Sequence, residues 1–565
     1  MEPSPHRDPP LPGEPRAGGR GWVAFLLVAA LGLAVFGIGL GSIPLIEKDE
    51  PRYAVTAREM LESGDYLVPR MNGEIRLAKP PLFYWLVAGS FRVFGVNEFA
   101  ARLPSALAGL GVLLGTLWIG RRMFPGTAIG LRAAVVLAAS AQMLSVSRTA
   151  IPDMVLTLSE VAAIACFVGA YFGGGAPRRL LLGFWACAGL AAVAKGPVGI
   201  LVPLLVVAVF LASRRELRFL LHGLAPGLLV FAAIALPWFL AVGARLGFAA
   251  GARRLEEETV NRFLHGGDHP QAFYYYLPVL LGGFLPWTVF GVGAGGARFL
   301  LEAPRRWKRE SALRFLAIWA GVVVLFFSLS RGKLATYVTS AFPALALGFA
   351  IFWDRWSQEA RSPGAAGALA RYGPVGILSA AAVVAGIVLP GKVPEFRLAH
   401  LLAGAPLLLG IASCGALARR GRVERALGSV TAGTALSFLA AVFTLGGEFG
   451  ALRSMRALSE RTAPILRGDR TLIAFHAPFP GLVFYLDRRI PFLRRPAALE
   501  ERLDAGGDLV VLAPRKDFGR LPQRIRDRLE VVGQGPWRRD AILIAVPSEV
   551  RRFPDEGCSP PPLPR

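Results

Sequence analysis

The sequence predicts an all-α polytopic membrane protein with a small α/β domain at its C-terminal end. Hydrophobic residues make up 54% of the 565 positions, which excludes an ordinary soluble globular protein. Apolar runs of about 17 to 25 residues match the thickness of a bilayer. Short basic segments separate these runs, as expected for cytoplasmic loops between membrane spans.

Thirteen apolar runs predict the spans of a transmembrane domain that covers residues 21–446. Every second loop between them is basic, and six such loops agree in phase, which predicts a cytoplasmic N-terminus. The runs are 22–42, 104–120, 133–147, 154–173, 180–194, 197–212, 223–243, 276–296, 312–330, 334–353, 373–390, 399–417 and 426–446.

The aromatic stretch at 80–96 is not counted as a span, because counting it would place all six basic loops on the wrong face. We interpret it as an interfacial helix with Phe83, Tyr84 and Trp85 among the lipid headgroups. A second amphipathic helix, beginning near Pro51, is predicted to lie on the membrane surface. The first external loop, 43–103, would then cover the bundle as a lid.

The two ends of the chain differ from its centre. Residues 1–20 are rich in Pro, Gly and Arg and predict a disordered cytoplasmic segment, followed by an uncleaved first span. Residues 447–548 predict an external α/β domain, interpreted as a packing or partner-binding appendage, before a disordered tail at 549–565. Its predicted strands are 471–475, 482–485, 509–512 and 541–546, and its predicted helices are 497–503 and 521–529.

The net charge of +24 does not indicate a nucleic-acid partner, because the surplus arginine lies in loops between apolar runs. The four cysteines have neither metal-ligand nor disulfide-framework spacing. Within the second external loop, 244–275, His265, Asp268 and His269 leave a divalent metal such as zinc open, although no third strong ligand is fixed nearby. The tyrosines at 274–276 predict an aromatic belt, with sugar stacking as the alternative.

Two carboxylates, Asp49 and Glu50, follow the first predicted span almost directly. Charge so close to hydrocarbon is costly and usually functional, so we interpret an acidic group here as the base that activates an acceptor hydroxyl. Asp153 is its candidate partner. Helix capping and a favourable charge in a first helical turn are the alternatives for all three.

Cations on the external side form a second candidate group. Lys79 precedes two prolines, Lys195 interrupts a long apolar stretch, and Lys333 lies near Arg331 with Tyr337 one turn further on. They predict anion sites for a phosphate leaving group. The alternatives are snorkelling anchors for the first two and a cap on the ninth span for the third.

Nine short motifs occur in an order that resembles the aminoarabinose transferases of lipid A and related bacterial glycosyltransferases, which are kin to the protein O-mannosyltransferases. The resemblance covers about residues 21–353. The motifs are DEPRY (49–53), SGDYLVP (63–69), AKPPLFYW (78–85), AARLPSAL (100–107), PD (152–153), KGP (195–197), PWF (237–239), NRFLH with the following YYYLPVLLGGFLPW, and GKLATY (332–337).

This resemblance implies a GT-C fold, inverting transfer and a polyprenyl-phosphate sugar donor rather than a nucleotide sugar. By position it implies that Asp49 is catalytic and that Asp153 is a second essential carboxylate. The resemblance implies no cofactor, because Ala78 and Thr259 replace an acidic residue and a histidine that the family often has and that could serve a metal site. It assigns the donor phosphate to Lys79, Lys195, Arg262, Lys333 and Tyr337, and the shaping of the site to Glu50, Arg52 and Tyr53.

The sequence thus predicts a multi-pass enzyme of the inner membrane that transfers a sugar to a lipid A-like, glycan or protein acceptor on the external face. A transporter or flippase of a lipid-linked anion is the first alternative, but it would require inverted repeats and charges on both faces. A scaffold with a degenerate site is the second alternative. It predicts that alanine at Lys79 and Asp153 has no phenotype.

Overall fold

The computed structural model describes residues 21–173, 177–249, 270–293, 302, 310–359, 397–466, 470–506, 508–537 and 540–548. The N-terminal half is helical except for one short hairpin in the first external loop. Its elements are α1 (Gly21–Gly37), α2 (Asp49–Ser63), β1 (Arg70–Met71), β2 (Glu74–Ile75), α3 (Leu82–Phe94), α4 (Glu98–Met123), α5 (Ile129–Ala138), α6 (Ala141–Val146), α7 (Asp153–Phe172), α8 (Pro177–Lys195), α9 (Val198–Arg214), a 3-10 helix (Leu217–Gly223) and α10 (Leu224–Leu246).

Helices also form the next part of the chain. They are a 3-10 turn (Phe273–Tyr275), α11 (Tyr276–Gly283), α12 (Trp287–Gly293), α13 (Ser311–Leu329), a second 3-10 helix (Ala335–Ala341), α14 (Phe342–Glu359), α15 (Arg397–Arg419) and α16 (Val423–Thr444).

Six segments of the described chain are helical, long and apolar enough to cross a membrane, which confirms the polytopic helical class. They are Glu98–Met123, Asp153–Phe172, Leu217–Leu246, Ser311–Leu329, Ala335–Ser357 and Glu424–Thr444. Several shorter apolar helices, α1 and α9 among them, accompany these six. The total of thirteen spans stays a prediction, and the run at 373–390 lies outside the described residues.

Some predicted spans are interrupted. The run at 133–147 forms α5 and α6, and the described part of the run at 276–296 forms α11 and α12 with Pro286 at the break. Helices α8 and α9 are separated by Gly196 and Pro197. Gly196 has a φ of +82°, a conformation that costs glycine little and other residues more. The chain therefore changes direction directly after Lys195.

Helix α3 is amphipathic, but Phe83 and Tyr84, which the sequence predicts to lie among the lipid headgroups, are buried against protein. Phe83, Val87 and Phe91 are buried, whereas Trp85 and Phe94 are exposed. The prediction that α2 also lies on the membrane surface is wrong. Helix α2 packs between α3 and a helix of the C-terminal domain, so both of its sides are covered by protein.

The C-terminal domain contains a five-stranded mixed sheet in the order β4-β3-β5-β7-β6. Strand β3 is parallel to β4 and β5, and β7 is antiparallel to β5 and β6. Its elements are α17 (Gly446–Arg453), α18 (Arg456–Thr462), β3 (Thr471–Phe475), α19 (Pro480–Tyr485), β4 (Phe492–Leu493), α20 (Pro496–Asp504), β5 (Leu509–Pro514), α21 (Arg515–Phe518), α22 (Gln523–Arg526), β6 (Leu529–Trp537) and β7 (Asp540–Pro547).

Three of the four strands predicted for this domain are present, in β3, β5 and β7. The strand predicted at 482–485 is wrong, because that apolar run is helix α19. Pro480 at its first position suits a helix start. The predicted helix at 497–503 is α20, whereas of 521–529 only the single turn α22 is helical, and β6 begins at Leu529.

Candidate active site

Glu50, a residue of the first external loop, forms a buried ion pair with Arg102. Its carboxylate accepts hydrogen bonds from Arg102 Nε at 2.8 Å and Arg102 Nη2 at 2.7 Å. The same guanidinium donates to the carbonyls of Leu40, Ile43 and Pro44 at 2.6 to 3.0 Å. Arg102 on α4 therefore ties the end of α1 to the start of α2.

The Glu50 carboxylate also bonds two backbone amides. The N–H groups of Ile46 and Ala150 donate to it at 2.8 and 2.7 Å. Ala150 is three residues before Asp153, so one buried carboxylate holds both acidic segments of the predicted site in place. Because the side chain of Glu50 is only 2% exposed, its surroundings indicate a positioning role rather than contact with an acceptor.

Asp49 has the opposite environment from its neighbour. It is the first residue of α2, its side chain is 69% exposed, and it pairs with Arg52 at 3.5 Å. The residue in the N-cap position is Lys48, and no side-chain capping hydrogen bond forms there. The capping alternative for Asp49 is thus wrong, although its charge does lie in a first helical turn.

Asp153 and Lys195 form a buried pair at the ends of two helices. Lys195 Nζ donates to Asp153 Oδ1 at 2.7 Å, and each side chain is 10% exposed. The ammonium also lies 4.3 Å from the ring centre of Tyr337, a cation–π distance. Thr336 lies beside this pair and interacts with the same carboxylate. Asp153 is not a side-chain cap of α7, and Lys195 does not snorkel into solvent.

Tyr53 connects α2 with the interfacial helix. Its ring meets Phe83 edge-on, with 5.5 Å between ring centres, and Tyr84 at 5.7 Å. Burial raises the pKa of its phenol well above the usual value, and the neighbouring Tyr84 adds to this effect. The phenol therefore stays protonated and can donate a hydrogen bond.

The charged groups of the predicted site lie close enough to interact electrostatically. The carboxylates of Asp153 and Asp49 both help to raise the pKa of Tyr53, and Arg76 opposes them. Lys79 is close enough to Asp153 for its charge to act on that carboxylate. Residues separated by about a hundred positions in the chain thus lie near one another, where α2 and α7 begin and α8 ends.

Lys333 lies in a different environment. It is buried, and its ammonium donates to the carbonyl of Gln271 at 3.1 Å and to that of Ser330, which follows α13. This contact matches the capping alternative for the ninth span. Arg331, beside it, is exposed.

Sequence reasoning missed several residues of this region. Arg102 lies in the AARLPSAL motif near the start of α4. An arginine at the end of an apolar helix is a usable signal for a buried ion pair. Glu160 is buried on α7 two turns after Asp153, and its charge interacts with those of Asp153 and Lys195. Thr336 had no distinguishing sequence signal, whereas Arg76 is one of the basic residues that follow Asp49 and Glu50 in the first external loop.

Part of the predicted site lies outside the described residues: Arg262, His265, Asp268, His269 and Thr259. Within the described ranges, no group of three or more His, Cys, Asp or Glu side chains could hold a metal ion.

Comparison with known proteins gives relatives for the N-terminal part of the chain. A family model described as dolichyl-phosphate-mannose-protein mannosyltransferase matches residues 42–248.

Two relatives are named undecaprenyl phosphate-alpha-4-amino-4-deoxy-L-arabinose arabinosyl transferase. The protein from Edwardsiella ictaluri is 31% identical over 326 residues, covering 56% of each chain. The one from Proteus mirabilis, whose name adds the number 2, is 32% identical over 332 residues, covering 58% of each. The chain spans little more than half the length of these relatives.

Two solved structures of ArnT from Cupriavidus metallidurans are similar over nearly the whole chain. The structure bound to undecaprenyl phosphate has a TM-score of 0.77 and 26% identity, covering 93% of this chain and 98% of that one. The apo structure has a TM-score of 0.75 and 25% identity, covering 94% and 98%. The chain therefore has the GT-C fold of these glycosyltransferase structures, and its N-terminal part is similar in sequence to aminoarabinose transferases and to the protein mannosyltransferase family model.

Proposed function

We propose that this protein transfers a sugar from a polyprenyl-phosphate carrier to an acceptor hydroxyl on the external side of the membrane. The observation that carries the proposal is the buried Asp153–Lys195 pair at the ends of α7 and α8, within electrostatic reach of Lys79 and of the α2 region. The fold supports it, because one similar structure is described as bound to undecaprenyl phosphate. The acceptor classes are a lipid A-like lipid, another glycan and a protein.

In the proposed reaction the acceptor oxygen bonds to the anomeric carbon while the bond from that carbon to the phosphate oxygen breaks. Asp49 orients the acceptor hydroxyl and takes its proton, and polyprenyl phosphate leaves from the opposite face, which inverts the anomeric centre. The exposure of the Asp49 side chain lets an acceptor approach. Arg52 pairs with the Asp49 carboxylate at 3.5 Å and orients it on the first turn of α2.

Lys79 and Lys195 neutralise the negative charge that develops on the leaving phosphate. Such stabilisation is strong in a site that excludes water. Asp153 keeps the Lys195 ammonium over the ring of Tyr337 before the donor arrives. When the phosphate binds, the ammonium is shared between the carboxylate and the phosphate. Arg262 is a further cation of the proposed set, whereas the hydrogen bonds of Lys333 to backbone carbonyls favour its capping alternative.

The proposed orientation has the N-terminus in the cytoplasm and the C-terminal domain outside, in the periplasm if the cell has an outer membrane. Single cysteines introduced at Asp49 or at Arg331, which are both exposed, should react with an impermeant thiol reagent added from the external side. Labelling of these positions from the cytosolic side would reject the orientation and with it the reaction.

The test begins with mass spectrometry of lipids and glycoproteins from a deletion strain, in which one sugar increment should be lost. The purified protein should then release undecaprenyl phosphate from the matching donor. Asp49→Asn should abolish release while leaving binding of undecaprenyl phosphate intact.

Asp527→Asn, which changes an exposed carboxylate of the C-terminal domain, is the matched control and should retain full turnover. Turnover by Asp49→Asn protein would reject the catalytic role. Movement of the donor across vesicles without transfer of sugar would instead favour a flippase.

A further inference from the structure

The first external loop binds the C-terminal domain at the start of helix α19. Oε1 of Glu47 accepts a hydrogen bond from the Gly481 N–H at 2.6 Å. The backbone N–H of Glu47 donates to the carbonyl of Arg453 at 2.9 Å. Glu47 is two residues before Asp49, so this contact fixes the chain directly before the first turn of α2.

The opposite end of α19 is bound by a cation from the same loop. The Arg58 guanidinium donates to the carbonyls of Val483 and Phe484 at 3.0 and 3.1 Å and pairs with Asp487 at 2.7 Å. Its side chain is only 7% exposed. Glu47 thus accepts a hydrogen bond from the amide end of α19 and Arg58 donates to its carbonyl end, so residues of the first external loop hold both ends of this helix.

Further hydrogen bonds extend this interface on both sides. The amide of Asn72 donates to the Ile490 carbonyl at 2.6 Å and accepts from the Ile490 N–H at 2.8 Å. The N–H of Leu45 donates to the Tyr485 hydroxyl at 2.7 Å. These contacts run from residue 45 to residue 72, along the whole length of α2.

We propose that the C-terminal domain is a positioning element of the transfer reaction, with Glu47 and Arg58 as the positioning residues that set the first turn of α2. The inference rests on the proposed function, because it concerns where the Asp49 carboxylate stands. Asp49 itself contacts Arg52, a residue of its own helix. The backbone of α2 therefore decides its location. That backbone is fixed by Glu50 on the bundle side and by α19 on the domain side.

This role differs from acceptor binding in what it predicts for kinetics. A displaced carboxylate lowers kcat, and a shift of about 1 Å can cost about 10²-fold. Loss of an acceptor site would instead raise the KM for the acceptor and leave kcat unchanged. A structural appendage without influence on α2 would change neither value.

The test uses full-length protein in lipid nanodiscs, with the donor sugar that the deletion strain identifies. Arg58→Met and Glu47→Ala should each lower kcat about 10- to 100-fold, with donor and acceptor KM within twofold. Glu47→Gln, which keeps an oxygen for the Gly481 N–H, should recover most of the rate. Arg502→Met, at an exposed position on α20, is the matched control and should behave as wild type.

Hydrogen exchange supplies a readout that does not depend on turnover. Arg58→Met should speed amide exchange in residues 49–63 and 480–485 while the spans stay protected. An unchanged kcat, a change in acceptor KM alone, or unaltered exchange in α2 would overturn the inference. If wild-type protein transfers no sugar, the proposed function fails, but faster exchange in Arg58→Met would still support the contact between the domain and α2.

Discussion

The first external loop faces two polar clusters that are built differently. On the bundle side, Asp153, Lys195 and Tyr337 meet through side chains alone. On the domain side, Glu47 and Arg58 bond mainly to backbone groups of α19. A cluster of side chains can exchange a partner for an incoming phosphate without a change of fold. A cluster anchored on backbone cannot, so it determines position instead.

The largest expected effect comes from breaking the Glu50–Arg102 ion pair, which lies between the two clusters. Glu50→Ala leaves the Arg102 guanidinium buried and uncompensated, which should cost about 3–5 kcal/mol of unfolding free energy. Denaturation of the purified protein, followed by α-helical circular dichroism, measures this loss. The double variant Glu50→Leu/Arg102→Met should recover much of the stability. A loss below about 1 kcal/mol would show that the pair does not hold the loop.

Next in size is the effect of Asp153→Asn on catalysis. Asparagine keeps a hydrogen-bond acceptor but loses the charge that holds the Lys195 ammonium, so kcat should fall about 10²- to 10³-fold. The loss of stability should be smaller than for Glu50→Ala. Asp504→Asn, which removes an exposed pair with Arg528 on the C-terminal domain, is the control. Turnover within tenfold of wild type would remove Asp153 from the reactive cluster.

Lys333→Met tests whether Lys333 acts as part of a side-chain cluster that binds phosphate or of a cluster that is anchored on backbone and determines position. Its ammonium bonds the backbone carbonyls of Gln271 and Ser330, so its removal should cost about 1.5–3 kcal/mol of stability, as for hydrogen bonds to charged groups. Thermal unfolding and donor titration measure the two properties. A rise in donor KM of more than tenfold with stability unchanged would assign Lys333 to phosphate binding, as the sequence predicts.

A further expected effect concerns pH. Desolvation raises the pKa of Glu47 from 4.5 to about 7, against the opposing hydrogen bond from Gly481. The folded protein therefore holds a proton that the unfolded chain releases above pH 4.5. Stability should fall as pH rises from about 4.5 to 7 and then level off. Glu47→Gln should flatten this part of the curve of unfolding free energy against pH. An identical slope in both proteins would contradict the assignment.

The helical class, the interfacial helix α3 and most strands of the C-terminal sheet follow from hydrophobic pattern and turn residues. The pattern did not predict that the apolar run at 482–485 is a helix, because four apolar residues satisfy either a buried strand or a buried helical turn. The same pattern wrongly predicts that α2 lies on lipid, because an apolar face with Ala57 and Met60 can be buried equally well against lipid or protein.

The sequence by itself determined which charges needed explanation: Asp49, Glu50, Asp153, Lys79 and Lys195 lie beside apolar segments, where charge is costly. Only the tertiary structure decided their different surroundings. It buries Glu50 against Arg102 and exposes Asp49, although the two are adjacent in the chain. The physical reason is that hydrogen-bond partners such as Arg102, Ala150 and Gly481 are distant in sequence, and packing alone brings them to these carboxylates.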